Sequence, residues 1–533
     1  MSLTELGTSP GSVESISQSA EYVRDPLIAF QQLCAQSKNA MLLESAEIES
    51  KDNLKSLILV DATLRLECSG QQVVCKALSS NGGHVLNLIQ QHCPDDIDCA
   101  LATLGTESSL TLSCAPSDAN ADEDSRLKQP SVFDALRLII SNIKAIRDIP
   151  HAVFLGGAFA YDLLATFENL PAVKASENTC PDYVFYLAET LICIDHQQQT
   201  TDVIGSVFSG PNVAENYLRI SQRVESICST LKTLPGKVLV TSDSDCDNQD
   251  VVVDRDDRQY IEDVESLKQH ILAGDIFQVV PSRTFSLPCP SPILAYAKLR
   301  QQNPSPYMFY LQDDDFSMFG ASPESALKYS STSNIVEIYP IAGTRPRGKR
   351  SDGSLDADLD SRIELNLRED TKEKAEHIML VDLARNDVAR VSKPGTRFVK
   401  DLLKVDRYSH VMHLVSRVIG ELRDDLDALH AYQACMNMGT LVGAPKVSAA
   451  TLIREVEQQR RGSYGGAVGY LNGEGDMDSC IVIRSAFVRN GVAYIQAGAG
   501  VVYDSVPQAE ADETRSKAQA VISAILSSRG AQS

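Results

Sequence analysis

Two pairs of glutamates are the residues of this chain best placed to do chemistry. In DTKEKAEHIMLVDLARND, Glu373 and Glu376 stand three positions apart, and in AEADETRSKAQAV, Glu510 and Glu513 repeat that spacing. On a helix, this interval puts both carboxylates on one face. Two such helices could hold a hard divalent cation through oxygen, with water and substrate completing an octahedron. The same residues also suit helix ends. Asp370 could cap its helix with Glu373 at the third position, and Glu510 could lie against the positive end of its own. Spacing alone leaves both readings open.

A second signal is QAGAGVV. Gly498 and Gly500 follow a strand pattern and would let backbone approach a ligand carboxylate, or simply form a turn or bulge. The segment is not G-x-G-x-x-G opening a helix, so a dinucleotide fingerprint is excluded. Arg484, in VIRSA, falls within a strand pattern. It would face solvent or grip a carboxylate in bidentate fashion.

The elements that must position these residues are legible in outline. Periodicity predicts helices near 371–391 and from about 507 to 527, which carry the two doublets, and another over 258–276. FQVVPSRTFSL, DFSMFGASPESALKY and IVEIYPIAGT are strand-like and separated by turn residues. IVIRSAFVRNGVAYIQAGAGVV predicts a hairpin turning at Arg489-Asn490-Gly491. In the first half, 54–70 and 73–78 read as strands and 131–146 as a helix. Residues 1–20 are Ser-rich and polar, and a flexible terminus is expected. An N-terminal domain is expected over 21–235, a connecting Asp/Ser-rich segment over 236–257, and a catalytic region over 258–528. Strands adjacent in sequence, joined by turns, predict an α+β fold of antiparallel sheet layered with helices rather than a Rossmann fold.

Composition narrows the function classes. A net charge of −22 repels phosphate backbones and argues against nucleic-acid binding. A small anionic substrate remains possible where local cations or a metal outweigh the distant field. No stretch reaches the roughly 18 apolar residues of a membrane span, and the start has no signal-peptide pattern. The 13 cysteines are scattered without C-x-x-C, which predicts reduced thiols in a cytoplasmic protein and no structural zinc.

Several segments, taken together, carry a resemblance. They include LLESAEI (42–48), GDIFQVVPSR (274–283), NPSPYMFY (303–310), FGASPES (319–325), PIAGTRPRG (340–348), VDRYSHVMHLVS (405–416), MGTLVGAPK (438–446), RRGSYGGAVGY (460–470), DSCIVIRSA (478–486) and QAGAGVVYDSVPQAEADETRSKA (496–518). In order, and over nearly the whole chain, they resemble the large subunits of anthranilate synthase, a branch of the chorismate-utilising enzymes. The absence of tryptophan suits an enzyme needed when tryptophan is scarce.

The resemblance implies a role for each matching residue. Glu376 and Glu513 would ligate Mg²⁺, with Glu373 and Glu510 beside them. Gly343 and Thr344 would receive the ring carboxylate of chorismate, and Tyr464, Arg484, Gly498, Ala499, Gly500 and Lys517 the enolpyruvyl carboxylate. Glu324 matches the general acid, and Thr440 and His413 would line the ring, His413 serving a second step. Gln278 stands where isochorismate and salicylate synthases use a lysine to activate water, and Ala342 where aminodeoxychorismate synthases commonly carry lysine. Both differences imply anthranilate synthase, with ammonia as nucleophile. No glutaminase nucleophile elbow is present, so the resemblance implies a separate amidotransferase subunit in a heterotetramer of two large and two small chains. It also implies feedback inhibition by L-tryptophan at Glu44, Ser45, Pro306, Tyr307, Met308, Val468 and Tyr470.

Overall fold

The computed structural model describes residues 3–45, 54–104, 107–118, 121–235, 251–350, 353–408 and 411–529. Among these, one continuous hydrogen-bonded sheet of 23 strands carries the architecture, with helices packed on it. Its long pairings are antiparallel; a short parallel pair joins Ser12–Val13 to Lys144–Ala145. The expected α+β layering is therefore what the chain adopts.

The two halves of the sequence are joined through this sheet in two places. Ala40–Glu44 pairs with Tyr307–Gln312, placing Glu44 opposite Met308. Phe154–Phe159 pairs with Ala467–Asn472, placing Ala158 opposite Val468. Backbone ladders leave few unpaired N–H and C=O groups at such a junction, so the halves share one scaffold. Most of the connecting segment, 236–250, lies outside the described residues. Its end, Val252–Val253, pairs with Phe285 and Ser286 and so belongs to the second half.

The first twenty residues differ from the expected flexible terminus. Leu3–Thr8 is helical, and Ser12–Ala20 runs antiparallel to Thr200–Phe208, burying Val13. Few of its residues are the β-branched or aromatic types enriched in strands, and its polarity hid the pairing. The helix expected over 131–146 is shorter, Asp134–Asn142. Lys144–Ala145 leaves it to pair with the N-terminal strand.

The helices carrying the glutamate doublets are set by their apolar faces. Pro507–Arg529 buries Ala511, Thr514, Ala518, Val521, Ile522 and Ile525, a helical stripe. It packs against Pro292–Gln302, Asp257–Ala273 and the strand Val492–Gly498. Thr371–Val391 buries Leu380, Val381, Ala384, Val388 and Val391 against Ile341–Pro346 and Val411–Glu421. The predicted hairpin closes through Asn490 and Gly491 at φ 51° and 74°, the left-handed pair a two-residue turn requires.

Candidate active site

A cavity of about 480 Å³ opens between the two doublet helices and the sheet. Glu373 and Glu376 line it from one helix, and Glu510 and Glu513 from the other. Gln278, Glu324, Gly343, Thr344, His413, Thr440, Tyr464, Arg484, Gly498, Gly500 and Lys517 complete the wall. Only Ala499 among the sequence-predicted residues of this site fails to reach it. Its neighbours line the cavity, while its own backbone N–H turns away to Pro281.

Both readings of the doublets hold in part. Asp370 caps its helix, accepting from the N–H groups of Lys372 and Glu373, and Glu510 sits in the first turn of its own helix. The carboxylates nevertheless face the same cavity. Burial raises the Glu376 carboxyl, Lys372 lowers it, and Glu373, Glu510 and Glu513 raise it further. Glu510 is likewise raised by burial first, and by Glu513. Among the described residues no three acidic, His or Cys groups converge as a closed ligand set. Instead Glu373 pairs with Arg345 at 2.8 Å, Glu376 with Lys372 at 3.8 Å and Glu513 with Lys517 at 2.7 Å. The oxygen-rich donor set suits a hard divalent cation, and that mutual repulsion is what such a cation would relieve.

Glu324 follows Pro323 in the gap between the strands Ser317–Ser322 and Ser325–Ser330. Its carboxyl is buried, and burial pushes its pKa up to about 8, although the Thr440 hydroxyl donates to it at 3.1 Å. Burial therefore favours its protonated form at neutral pH. His413 lies opposite Thr344 on paired strands, with its Nδ1 2.9 Å from the Thr344 hydroxyl. Burial, helped by Arg484, lowers its pKa to about 4, which keeps the imidazole neutral. The strand bulges between Ala342 and Thr344, where Gly343 adopts φ 79°. A Cβ there would come within 3.1 Å of the Glu373 carboxylate.

Arg484 was expected within a regular strand. It stands just outside one, at φ 50°, an unusual conformation for a long side chain. Strain of this kind concentrates at functional positions. Burial lowers its pKa, while Tyr464 and Glu513 work against that. Lys517 donates to the Gly498 carbonyl at 3.0 Å. A Cβ at Gly498 would press within 2.7 Å of the Pro281 carbonyl and 3.0 Å of the Tyr464 hydroxyl. At Gly500 it would meet the Gln278 side-chain amide at 2.8 Å, a group that can move aside, so the backbone contact at Gly498 is the one that calls for glycine. The buried Gln278 Oε1 has no hydrogen-bond partner among the described residues. Lys372, Gln496 and Ser516 also line the cavity. Sequence reasoning passed over them, although each lies within four positions of a residue it named.

The second group of predicted residues sits at the sheet junction. Glu44 accepts from the Tyr296 hydroxyl at 2.5 Å and pairs with Arg300 at 3.0 Å. With Met308 it faces the layer beneath Pro292–Gln302. Tyr307, Val468 and Tyr470 belong to the opposite layer, where Tyr470 stacks on Phe154 at 5.3 Å. Ser45 and Pro306 flank these strands.

Fold and cavity together define an α+β architecture whose cavity sets clustered carboxylates beside Lys372, Arg484 and Lys517. The solved anthranilate synthase component I of Streptococcus pneumoniae TIGR4 shares this fold at TM-score 0.66, with 26% identity, covering 93% of this chain and 97% of that one. The menaquinone-specific isochorismate synthase MenF of Escherichia coli shares the fold at TM-score 0.65 with 16% identity, covering 98% and 97%. Residues 99–523 match the family described as chorismate binding enzyme, and the chain belongs to that family. Within it, the chain is 59% identical to anthranilate synthase component 1 of Vibrio cholerae serotype O1 over 96% of each chain. It is 54% identical to anthranilate synthase component 1 of Escherichia coli K12 over 99% of each.

Proposed function

We propose that the chain is the large subunit of an anthranilate synthase, converting chorismate and ammonia into anthranilate and pyruvate. The observation that carries this reading is a single cavity combining a protonated Glu324, a neutral His413, the three cations Lys372, Arg484 and Lys517, and four further carboxyl groups. Glu376 and Glu513, with Glu373 and Glu510 beside them, would hold Mg²⁺, which would neutralise the ring carboxylate of the substrate. Gly343 and Thr344 approach that same carboxylate. Arg484 and Lys517, with the close backbone at Gly498 and Gly500, receive the enolpyruvyl carboxylate. The ring is thereby fixed between Thr440, Glu324 and His413.

In the first step the ammonia lone pair bonds to C2, both ring double bonds shift (C1=C2 to C1=C6 and C5=C6 to C4=C5), the C4–O bond breaks, and the new ammonium group loses a proton to solvent. Glu324 gives its proton to the departing hydroxyl, for which a carboxyl protonated near pH 7 is needed. The partnerless Gln278 oxygen can accept from an ammonia N–H and aim the lone pair. An amide cannot deprotonate water, which disfavours hydration at C2. In the second step the neutral His413 takes the C2 proton. The C3–O bond breaks, the enolpyruvyl group departs as enolpyruvate and takes a proton on its methylene carbon to become pyruvate, and the ring becomes aromatic.

The ammonia comes from a separate glutamine amidotransferase subunit, in a heterotetramer of two chains of each kind. A glutaminase thiol needs a lowered pKa. Among the described cysteines every resolved shift is upward, led by burial, as for Cys435 at about 12. L-Tryptophan acts as feedback inhibitor at the junction of Ala40–Glu44 with Tyr307–Gln312. Its support is that these strands weld the two halves, and that Val468 and Tyr470 continue the segment carrying Tyr464. No described helix is long and apolar enough to cross a membrane, consistent with cytoplasmic work.

Product analysis tests the reading. Ortho-aminobenzoate with one pyruvate released per amine supports it. A para-amino product retaining the pyruvyl group would replace it with aminodeoxychorismate synthesis.

A further inference from the structure

Behind the cavity wall lies an ion pair that the chemistry above does not use. Arg461 and Glu457 are both buried, with side chains 1% and 2% exposed. Glu457 ends the helix Lys446–Glu457, and the left-handed Gln458 turns the chain so that Arg461 folds back on it. The guanidinium is spent on several partners. Nε and Nη2 donate to the two Glu457 oxygens at 2.9 and 2.5 Å, Nη1 to the Leu441 carbonyl at 2.8 Å, and Nη2 also to the Val280 carbonyl at 2.6 Å. Its plane meets two rings, Tyr161 at 4.6 Å and Tyr464 at 5.5 Å. Glu457 in turn accepts from the Ser282 N–H and hydroxyl, both at 2.8 Å, and that hydroxyl accepts from Gln496 at 2.8 Å.

Val280, Leu441, Tyr464 and Gln496 all line the substrate cavity; Arg461 and Glu457 do not. The buried pair therefore ties four wall residues from behind, Val280, Leu441 and Tyr464 through Arg461 and Gln496 through Ser282 and Glu457. Replacing a buried ion pair by apolar groups is often neutral for stability, so cohesion does not explain charge at this place. A planar, five-donor fork that fixes several acceptors at once does. We propose that Arg461 is a positioning residue for substrate binding, clamped by Glu457 and backed by Tyr161. Tyr161 comes from the first half of the chain and is stitched in by its neighbours. Its N–H donates to the Gly462 carbonyl at 2.9 Å, its carbonyl accepts from Asn437 at 2.8 Å, and Asp162 pairs with Arg454 at 2.8 Å. The N-terminal half thus supports the substrate wall directly.

The inference rests on the cavity being the chorismate site. Its test is steady-state kinetics with chorismate and ammonium on Arg461→Lys and Tyr161→Leu, with thermal midpoints measured alongside. Lysine keeps the charge but cannot span Glu457, Leu441 and Val280 together. Because the affected groups bind substrate and leave Glu324 and His413 in place, KM for chorismate should rise about tenfold in Arg461→Lys, with kcat held within about threefold. Tyr161→Leu keeps every Arg461 hydrogen bond and removes only the ring, so KM should rise about threefold. A merely structural lesion lowers turnover per chain and leaves the KM of the folded molecules at the parental value. Parental KM in both variants overturns the proposal. Should Arg461→Lys not fold, Tyr161→Leu decides alone. A parental chain that fails to turn over chorismate sinks the functional reading instead, a distinct outcome.

Discussion

The candidate active-site cavity and the junction of Ala40–Glu44 with Tyr307–Gln312 are both expected to bind ligands, yet they are built differently. In the cavity, side chains from segments far apart in sequence point into one volume, and burial favours a protonated Glu324 carboxyl near neutral pH, a state water would not give it. At the junction, the residues are neighbours by strand pairing, but their side chains divide between two layers of the core. Glu44 is already engaged by Tyr296 and Arg300. In the cavity the carboxylates are paired with Arg345, Lys372 and Lys517, but around an open volume. A ligand at the junction must displace contacts the protein makes to itself. It would therefore favour one arrangement of the halves over another, which is what an effector must do.

The contrast can be broken or sharpened, beginning where the effect is largest. Glu324→Gln removes the proton donor and should lower kcat by about 10²- to 10⁴-fold, with little change in the binding of chorismate followed by equilibrium titration. Glu513→Gln should cost at least about a hundredfold in rate, roughly 2.7 kcal/mol in barrier, at limiting Mg²⁺. Its thermal midpoint should not fall, because a repelling carboxylate has been neutralised. At the junction, Ser45→Phe should abolish inhibition by L-tryptophan. Coupling of this sort is typically about 5- to 150-fold in affinity and is reciprocal, so chorismate should weaken tryptophan binding to the parent by the same factor. Inhibition that persists in Ser45→Phe, or that maps to the Arg484 and Glu513 pocket, removes the distinction between the two regions.

The smallest effect is in the pH profile. Expressed per free ammonia, the rate should hold between the low-pH limb set by His413 at about 4 and the high-pH limb set by Glu324 at about 8. The His413 limb appears because the imidazole must be neutral, and the Glu324 limb because the carboxyl must be protonated. Thr440→Val removes a hydrogen bond that favours the ionised carboxylate, so the upper limb should move to higher pH.

The cavity was more legible in the sequence than the junction, and the reason is physical. Glu373, Glu376, Glu510 and Glu513 announce themselves by helical spacing, and Gly498 and Gly500 by a strand ending in residues with no Cβ. The bounds of Thr371–Val391 and of the hairpin at Asn490-Gly491 follow from caps and turns that local chemistry writes plainly. The strand at Ser12–Ala20 was hidden because its partner lies nearly two hundred residues away, and no local periodicity records that pairing. Arg484 reads as a strand residue, since a left-handed φ leaves no mark on composition. Glu44 and Tyr307 carry no local sign of which layer they face, because the pleat is set by strands from both halves.

The central claim is that one cavity joins ammonia to chorismate while another chain supplies that ammonia. The most direct measurement is anthranilate fluorescence from the purified single chain with chorismate and Mg²⁺, given either ammonium at alkaline pH or glutamine at neutral pH. The account predicts anthranilate with ammonium, and none with glutamine until an amidotransferase subunit is added. Glutamine-dependent anthranilate from the single chain, or no anthranilate from either nitrogen source, would contradict it.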